Sequence, residues 1–292
     1  MILPDLILPS RQNQVWSESG IDSYAECHDK KHFKSYPHKV EYRYNSRGFR
    51  DIEWPETLEE LKECIWCFGD SFTVGIGSPI DHIWPNILQN KINCRCINIS
   101  MDGASNNWIA RKAARVLTEI SPKYIVIHWS FFTRDEDTNN NLSDEARRLL
   151  TINDLSDKGL INHFKKSVDI IENNKGNCKV IHSFIPESTH IKFYNQVLSY
   201  WNRFASSGWP MMPTTIKMFN KLDKSIINEI GKDYKLIKTY LTQLELLNSV
   251  IQEITYLEPV NCMDLARDGY HYDIITATNF VEQLVNLISP SH

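Results

Sequence analysis

Between residues 62 and 185 the sequence alternates short apolar runs with stretches of helical periodicity, and this pattern constrains the fold more than any other feature. The run Glu63 to Phe68 predicts a strand, followed by a helix over Asp81 to Lys91 with Pro85 near its first turn. "RCINIS" (Arg95 to Ser100) predicts a second strand, and "YIVIHW" (Tyr124 to Trp129) a third. Between them Trp108, Ala110, Ala113, Ala114, Leu117 and Ile120 recur at helical spacing over Asn107 to Ile120. Leu160 to Asn173 predicts a further helix, and "CKVIHSFI" (Cys178 to Ile185) the next strand. Continuous β-branched runs suit a parallel sheet covered on both faces. Strand and helix in strict alternation with short connections imply right-handed crossovers, hence a doubly wound α/β sheet.

The flanking regions read differently. Residues 1–45 are irregular and polar, with scattered aromatics, and predict an arm that wraps on a main domain over 46–292. Two stretches interrupt the alternation as insertions, one near 133–157 and one near 192–254. Within the second, Phe193 to Pro213 is the most aromatic part of the chain, fitting either a lid with a sugar-stacking wall or a helix pair with its own small core. With 292 residues, 42% of them hydrophobic, the chain can bury a large core. A net charge of -4 with both signs dispersed leaves no basic stripe, so nucleic-acid partners are not expected. No apolar run is long enough to span a bilayer, so no membrane partner is expected, and the N-terminus lacks a basic leader with an apolar stretch. The expectation is therefore a cytoplasmic protein, or a virion-associated one if phage-encoded.

Seven cysteines without a leader read as reduced, buried thiols. Cys64 and Cys67 are three apart in a strand and so point to opposite faces, which does not suit a shared metal. Cys94 and Cys96 lack a second pair at zinc spacing. His28, His32 and His38 fall in a polar segment that reads as a solvated loop. His128 and His182 lie in strand patterns and read as buried, hydrogen-bonded residues.

In open α/β sheets, functional groups gather beyond the carboxyl ends of the strands. Three loops leave such ends: Gly69-Asp70-Ser71, Asp102 to Asn106, and Ser130 to Arg134. Near the C-terminus stands "RDGYHYD", with Asp268 and His271 three apart. A serine nucleophile needs a base to accept its proton and a carboxylate to orient that base. Ser71, His271 and Asp268 can fill these roles, while Ser71 alone also reads as a helix cap. Asp70 reads as holding the turn. Gly103 permits close backbone approach, so its N–H can face an oxyanion. The glycine run lacks the lysine of a phosphate-binding loop, and no dinucleotide fingerprint is present.

"GDSFTVG" followed by a helix, "NISMDGASN" after the second strand and "DGYHYD" near the end together resemble three signature blocks of the SGNH (GDSL-type) hydrolases. "YNSRGFRD" (Tyr44 to Asp51) is similar to a lead-in found ahead of the serine block in bacterial and phage-encoded relatives. The resemblance covers roughly residues 45–290. It implies a flavodoxin-like α/β/α sandwich with a mainly parallel sheet, and ester hydrolysis, often of acetyl groups on carbohydrate, with no cofactor and no metal. Carried over by motif, Ser71 is the nucleophile, His271 the base and Asp268 its partner, with the N–H groups of Ser71 and Gly103 in the oxyanion hole. The third block departs: where the family has Gly-x-Asn-Asp, this chain reads "HWSFFTRDED". Asn106 is the favoured substitute donor, with Ser130 and Arg134 as fallbacks. The expected function is a serine esterase acting on an acylated small molecule or glycan. The alternatives are a carbohydrate O-acyltransferase of the same fold and a catalytically inactive carbohydrate-binding or structural module, possibly phage-associated.

Overall fold

Four fully parallel strands form the centre of the computed structural model, which describes residues 2–131, 134–136, 150–151, 157–185, 254–257 and 262–288. They are β1 (Ile65–Gly69), β2 (Cys96–Ser100), β3 (Tyr124–Trp129) and β4 (Lys179–Phe184), in the order β2-β1-β3-β4. The backbone of Thr255 and Leu257 extends the sheet beyond β4 by hydrogen bonds to His182. Beyond a short helix over Lys30–Ser35 in the N-terminal segment, the helices are α1 (Leu58–Glu63), α2 (Ser71–Val74), α3 (Trp84–Ile92), α4 (Asn106–Glu119), α5 (Asp157–Glu172) and α6 (Ile274–Ile288). The aromatic stretch Phe193 to Pro213, most of the expected insertion near 133–157 and nearly all of the one near 192–254 lie outside the described residues.

The two faces of the sheet carry separate cores. Trp66, Phe68, Ile97, Ile99, Ile125 and Ile127 pack against α4 and α5. Ile65, Cys67, Cys96, Val126 and Ile181 pack against α3 and α6. The chain is thus an α/β/α sandwich, and the period-two alternation of β1 assigns Trp66 to one core and Cys67 to the other. The helix expected over Asp81 to Lys91 is divided: a 3-10 turn covers Ile80–His82, and α3 begins at Trp84. Pro85 has no N–H to donate, which suits only the first turn of a helix. The N-terminal segment is less polar in its contacts than in its composition. Leu3, Leu6 and Leu8 are buried in the core that α4 covers, and Val15–Trp16 pairs antiparallel with Tyr42–Arg43.

From Cys64 to Ser78 every residue is buried, so the turn leaving β1 lies inside the protein. A buried turn must find hydrogen-bond partners for its backbone. Arg50 supplies several. Its guanidinium, 1% exposed, donates to the carbonyls of Val74, Gly75 and Ser78, and to that of Glu41 in the N-terminal segment. The face of Tyr42 lies 4.3 Å from its central carbon. Replacing Arg50 with Met keeps the volume and removes every donor, leaving these carbonyls without their partner. The expected loss of stability is about 3 kcal/mol or more, measured by urea denaturation against wild type. A change within about 0.5 kcal/mol, the range of ordinary surface substitutions, would show that Arg50 does not hold the turn.

Candidate active site

The strand order places β1 between β2 and β3, with Gly69 level with Ser100 on one side and His128 on the other. The connections reverse direction between β1 and β3, which opens a crevice at the carboxyl end of β1. Asp70 and Ser71 stand there. Asp70 caps α2, accepting the N–H of Phe72 at 3.0 Å. Ser71 is the first residue of that helix, 3% exposed, with a hydroxyl that makes no hydrogen bond among the described residues. Among the described residues its N–H has no acceptor either, as expected at a helix start, and neither has the N–H of Gly103. Gly103 has φ +73°, a left-handed conformation that glycine adopts without strain.

The loop after β3 is held by two devices. The Asn106 amide donates to the carbonyls of Ser130 (3.3 Å) and Phe131 (3.2 Å) and accepts from the Ser130 N–H (2.8 Å). Both of its hydrogens are therefore engaged in shaping this loop, and the favoured substitute for the family's asparagine has none left. Ser130 donates its only hydroxyl hydrogen to Asp70 at 2.6 Å. Arg134 reaches the same carboxylate oxygen with Nη1 at 2.8 Å and Ser130 Oγ at 3.0 Å. Its remaining N–H groups have no acceptor among the described residues, and its side chain is 19% exposed. Burial raises the Asp70 carboxyl, opposed by Arg134, Ser130 and the Phe72 N–H. Asp70 thus joins the first loop to the third. Of the three candidate third donors, Arg134 alone keeps a free hydrogen.

Asp268 and His271 lie on a small hairpin closed by a bridge between Leu265 and Tyr272 and by the Ala266 N–H on the His271 carbonyl. Asp268 Oδ1 accepts the N–H groups of Tyr270 and His271, and Oδ2 meets His271 Nδ1 at 2.5 Å. The pair is therefore built within its own loop. That loop is seated on the turn that follows Ser71. The Arg267 N–H donates to the Gly77 carbonyl at 2.9 Å. Gly77 has φ +80°, and a Cβ there would lie 2.9–3.1 Å from Ala266, Arg267 and Asp268. His271 packs its ring on Phe72, with centroids 4.5 Å apart. Its Nε2 is buried and has no partner among the described residues. Burial opposes a charge on His271, yet the charge and hydrogen bond of Asp268 prevail, with Asp102 and Asp70 adding to them, and the imidazole is held above its ordinary value. Asp268 moves the other way: burial opposes its ionisation, but His271 and two backbone N–H groups bring it below the usual carboxylate value.

The other histidines are engaged elsewhere. Ser183 gives its hydrogen to the Ile127 carbonyl, so His128 Nδ1 donates to Ser183 and Nε2 accepts from Tyr272. Burial lowers His128 to about 3, so it stays neutral. Trp129 can only donate, so His182 Nδ1 accepts from it and Nε2 donates to Glu172. The segment of His28, His32 and His38, expected as a solvated loop, contains a short helix over Lys30–Ser35 whose first N–H groups are capped by Asp29; His28 and His38 are exposed and His32 is half-buried. His32 bonds the Ala266 carbonyl, and His28 stacks on Tyr270. Among the described residues no cluster of potential metal ligands occurs. All seven cysteines are free, and burial raises Cys64 and Cys178 to about 12, leaving them unreactive thiols.

No family profile and no curated protein matches the sequence. Solved structures similar in chain path include TesA, at 13% identity over 78% of this chain and 98% of that one, with a TM-score of 0.42. A GDSL-like lipase from Bacteroides thetaiotaomicron is similar at 11% identity over 81% and 91%, with a TM-score of 0.39. A family two carbohydrate esterase from Clostridium thermocellum, in complex with cellohexaose, is similar at 14% identity over 81% and 66%, with a TM-score of 0.41. That likeness concerns the path of the chain and not its chemistry, which rests on the residues described above.

The elevated His271 value is directly measurable. Its ring should titrate by NMR above the ordinary 6.5. In Asp268→Asn the opposing carboxylate is gone, so burial acts with less resistance and the midpoint should fall below that of wild type. Equal midpoints would show that another group sets the protonation of His271.

Proposed function

We propose that the protein is a serine ester hydrolase that removes a small acyl group, such as acetyl, from a carbohydrate. The observation that carries this reading is the buried, unpartnered Nε2 of His271, held on its far side by Asp268 and packed on the residue next to Ser71. A buried ring nitrogen without a partner is costly unless a ligand or a reaction uses it. A small acyl group suits a nucleophile that is almost fully enclosed. The carbohydrate rests on the SGNH-like motifs.

Ser71 Oγ attacks the carbonyl carbon while its proton passes to His271 Nε2. The carbonyl oxygen becomes an oxyanion facing the free N–H groups of Ser71 and Gly103. Collapse breaks the bond to the alcohol oxygen, which takes the proton back from His271 and leaves. Water then attacks the acyl-serine, giving its proton to His271, and the carboxylic acid departs as Ser71 recovers its proton. Asp268 keeps Nδ1 protonated and stabilises the imidazolium in both halves. Arg134 is the third donor in this reading, reaching the oxyanion with the part of its fork that Asp70 and Ser130 leave free.

The test is a fluorophosphonate probe together with hydrolysis of an aryl acetate and an acetylated sugar. Wild type should be modified at Ser71, and Ser71→Ala should neither label nor turn over. Because the base must be neutral, kcat/KM should rise with pH through a midpoint above 6.5, given the raised His271. Arg134→Ala should lower kcat about a hundredfold. A wild-type chain that binds acetylated glycan but takes no probe and releases no acetate would instead be a binding module.

A further inference from the structure

A closed ring of hydrogen bonds joins the turn after Ser71 to the loop of His271 through the N-terminal segment. Tyr42 Oη accepts the Gly77 N–H at 2.7 Å and donates to Asp22 Oδ2 at 2.5 Å. Asp22 holds Arg267 with both oxygens, Oδ1 to Nε at 2.8 Å and Oδ2 to Nη2 at 2.6 Å. The ring closes where the Arg267 N–H meets the Gly77 carbonyl. Asp22 and Tyr42 are fully buried, and the Arg267 side chain is 13% exposed. Burial works against the charge of Arg267, yet Asp22 outweighs it and holds the guanidinium above its ordinary value. Burial keeps the Tyr42 phenol protonated, as a donor to Asp22 must be.

We infer that Asp22 and Tyr42 are positioning residues, which set the distance at which the Asp268–His271 hairpin faces Ser71. The inference rests on the ester-hydrolase reading. Its physical basis is a division of labour. The contacts between Asp268 and His271 lie inside one hairpin and need no help from residues 1–45. The hairpin is attached to the serine turn directly, by the Arg267 N–H on the Gly77 carbonyl and by Ser78 Oγ on the following Asp273, and a second attachment runs through the N-terminal segment. Arg267 directly precedes Asp268 and carries that attachment through Asp22, 245 positions away in sequence. The His28 N–H adds to it by donating to the Asp268 carbonyl at 3.1 Å. Cutting the ring therefore moves the pair as a unit and leaves its internal chemistry intact.

The test compares Tyr42→Phe, Asp22→Asn and their double variant with wild type, in the full chain. Three quantities are read: the rate constant of fluorophosphonate labelling per folded molecule, its pH midpoint, and amide hydrogen exchange at Gly77 and Arg267. Each single variant should label about ten- to a hundredfold more slowly, the scale of an ångström-sized misplacement. The double variant should be little slower than the worse single one, because both act through one ring. The pH midpoint should stay at the wild-type value, and Gly77 and Arg267 should lose protection together. Wild-type labelling rates in folded variants of lowered melting temperature would overturn the inference, since the ring would then be structural only, while the esterase reading would stand. Absence of labelling at Ser71 in wild type would overturn that reading and the positioning role with it. Unchanged exchange at Gly77 in Asp22→Asn would overturn the ring on its own, whatever the activity.

Discussion

A turn that leaves a central strand and stays buried cannot rely on water for its backbone hydrogen bonds. Residues Cys64 to Ser78 are in this position, and much of the molecule follows from how their polar groups are satisfied. Arg50 takes three carbonyls of the turn, Tyr42 takes the N–H of Gly77, and Arg267 donates to the carbonyl of Gly77. Asn98 takes the carbonyl of Thr73 from the neighbouring strand. The groups that satisfy the turn come from Tyr42 and Arg50 ahead of the sheet, from β2 and from the loop that carries His271. Burying the turn and assembling the site are one event.

The sheet sets where this happens. With β1 between β2 and β3, three strand ends converge, and Asp70 ties two of the resulting loops by accepting from Phe72, Ser130 and Arg134. Among the described residues, the backbone N–H groups of Ser71 and Gly103 are among those left without acceptors at this convergence. Among the described residues, these unengaged donors and the unengaged imidazole nitrogen of His271 are the chemically informative exceptions.

Much of this was legible in the sequence because it is local. β-branched runs marked the strands within one or two residues, and Trp108, Ala113 and Leu117 at helical spacing marked the buried face of α4. Asp268 and His271 could be paired on paper because they stand three positions apart in one tight hairpin. The third donor was not legible. Asn106 has the right chemistry and stands close to Gly103, but its hydrogens go to carbonyls after β3, which only the docking of α4 on that loop determines. Asp22 and Tyr42 gave no signal, since their partners lie 245 and 35 positions away and no spacing rule reaches so far. Composition likewise described residues 1–45 as polar, although Leu3, Leu6 and Leu8 belong to the main core.

In the ester-hydrolase reading, the turn after β1 and the hairpin of His271 form one reaction centre around Ser71. A crystal structure of the protein after treatment with a small phosphonate ester tests it most directly. Phosphorus should be bonded to Ser71 Oγ, with a phosphoryl oxygen accepting from the N–H groups of Ser71 and Gly103 and His271 Nε2 facing the adduct. A phosphonate attached to another residue, or an adduct on Ser71 with His271 turned away and the Gly103 N–H directed elsewhere, would contradict it.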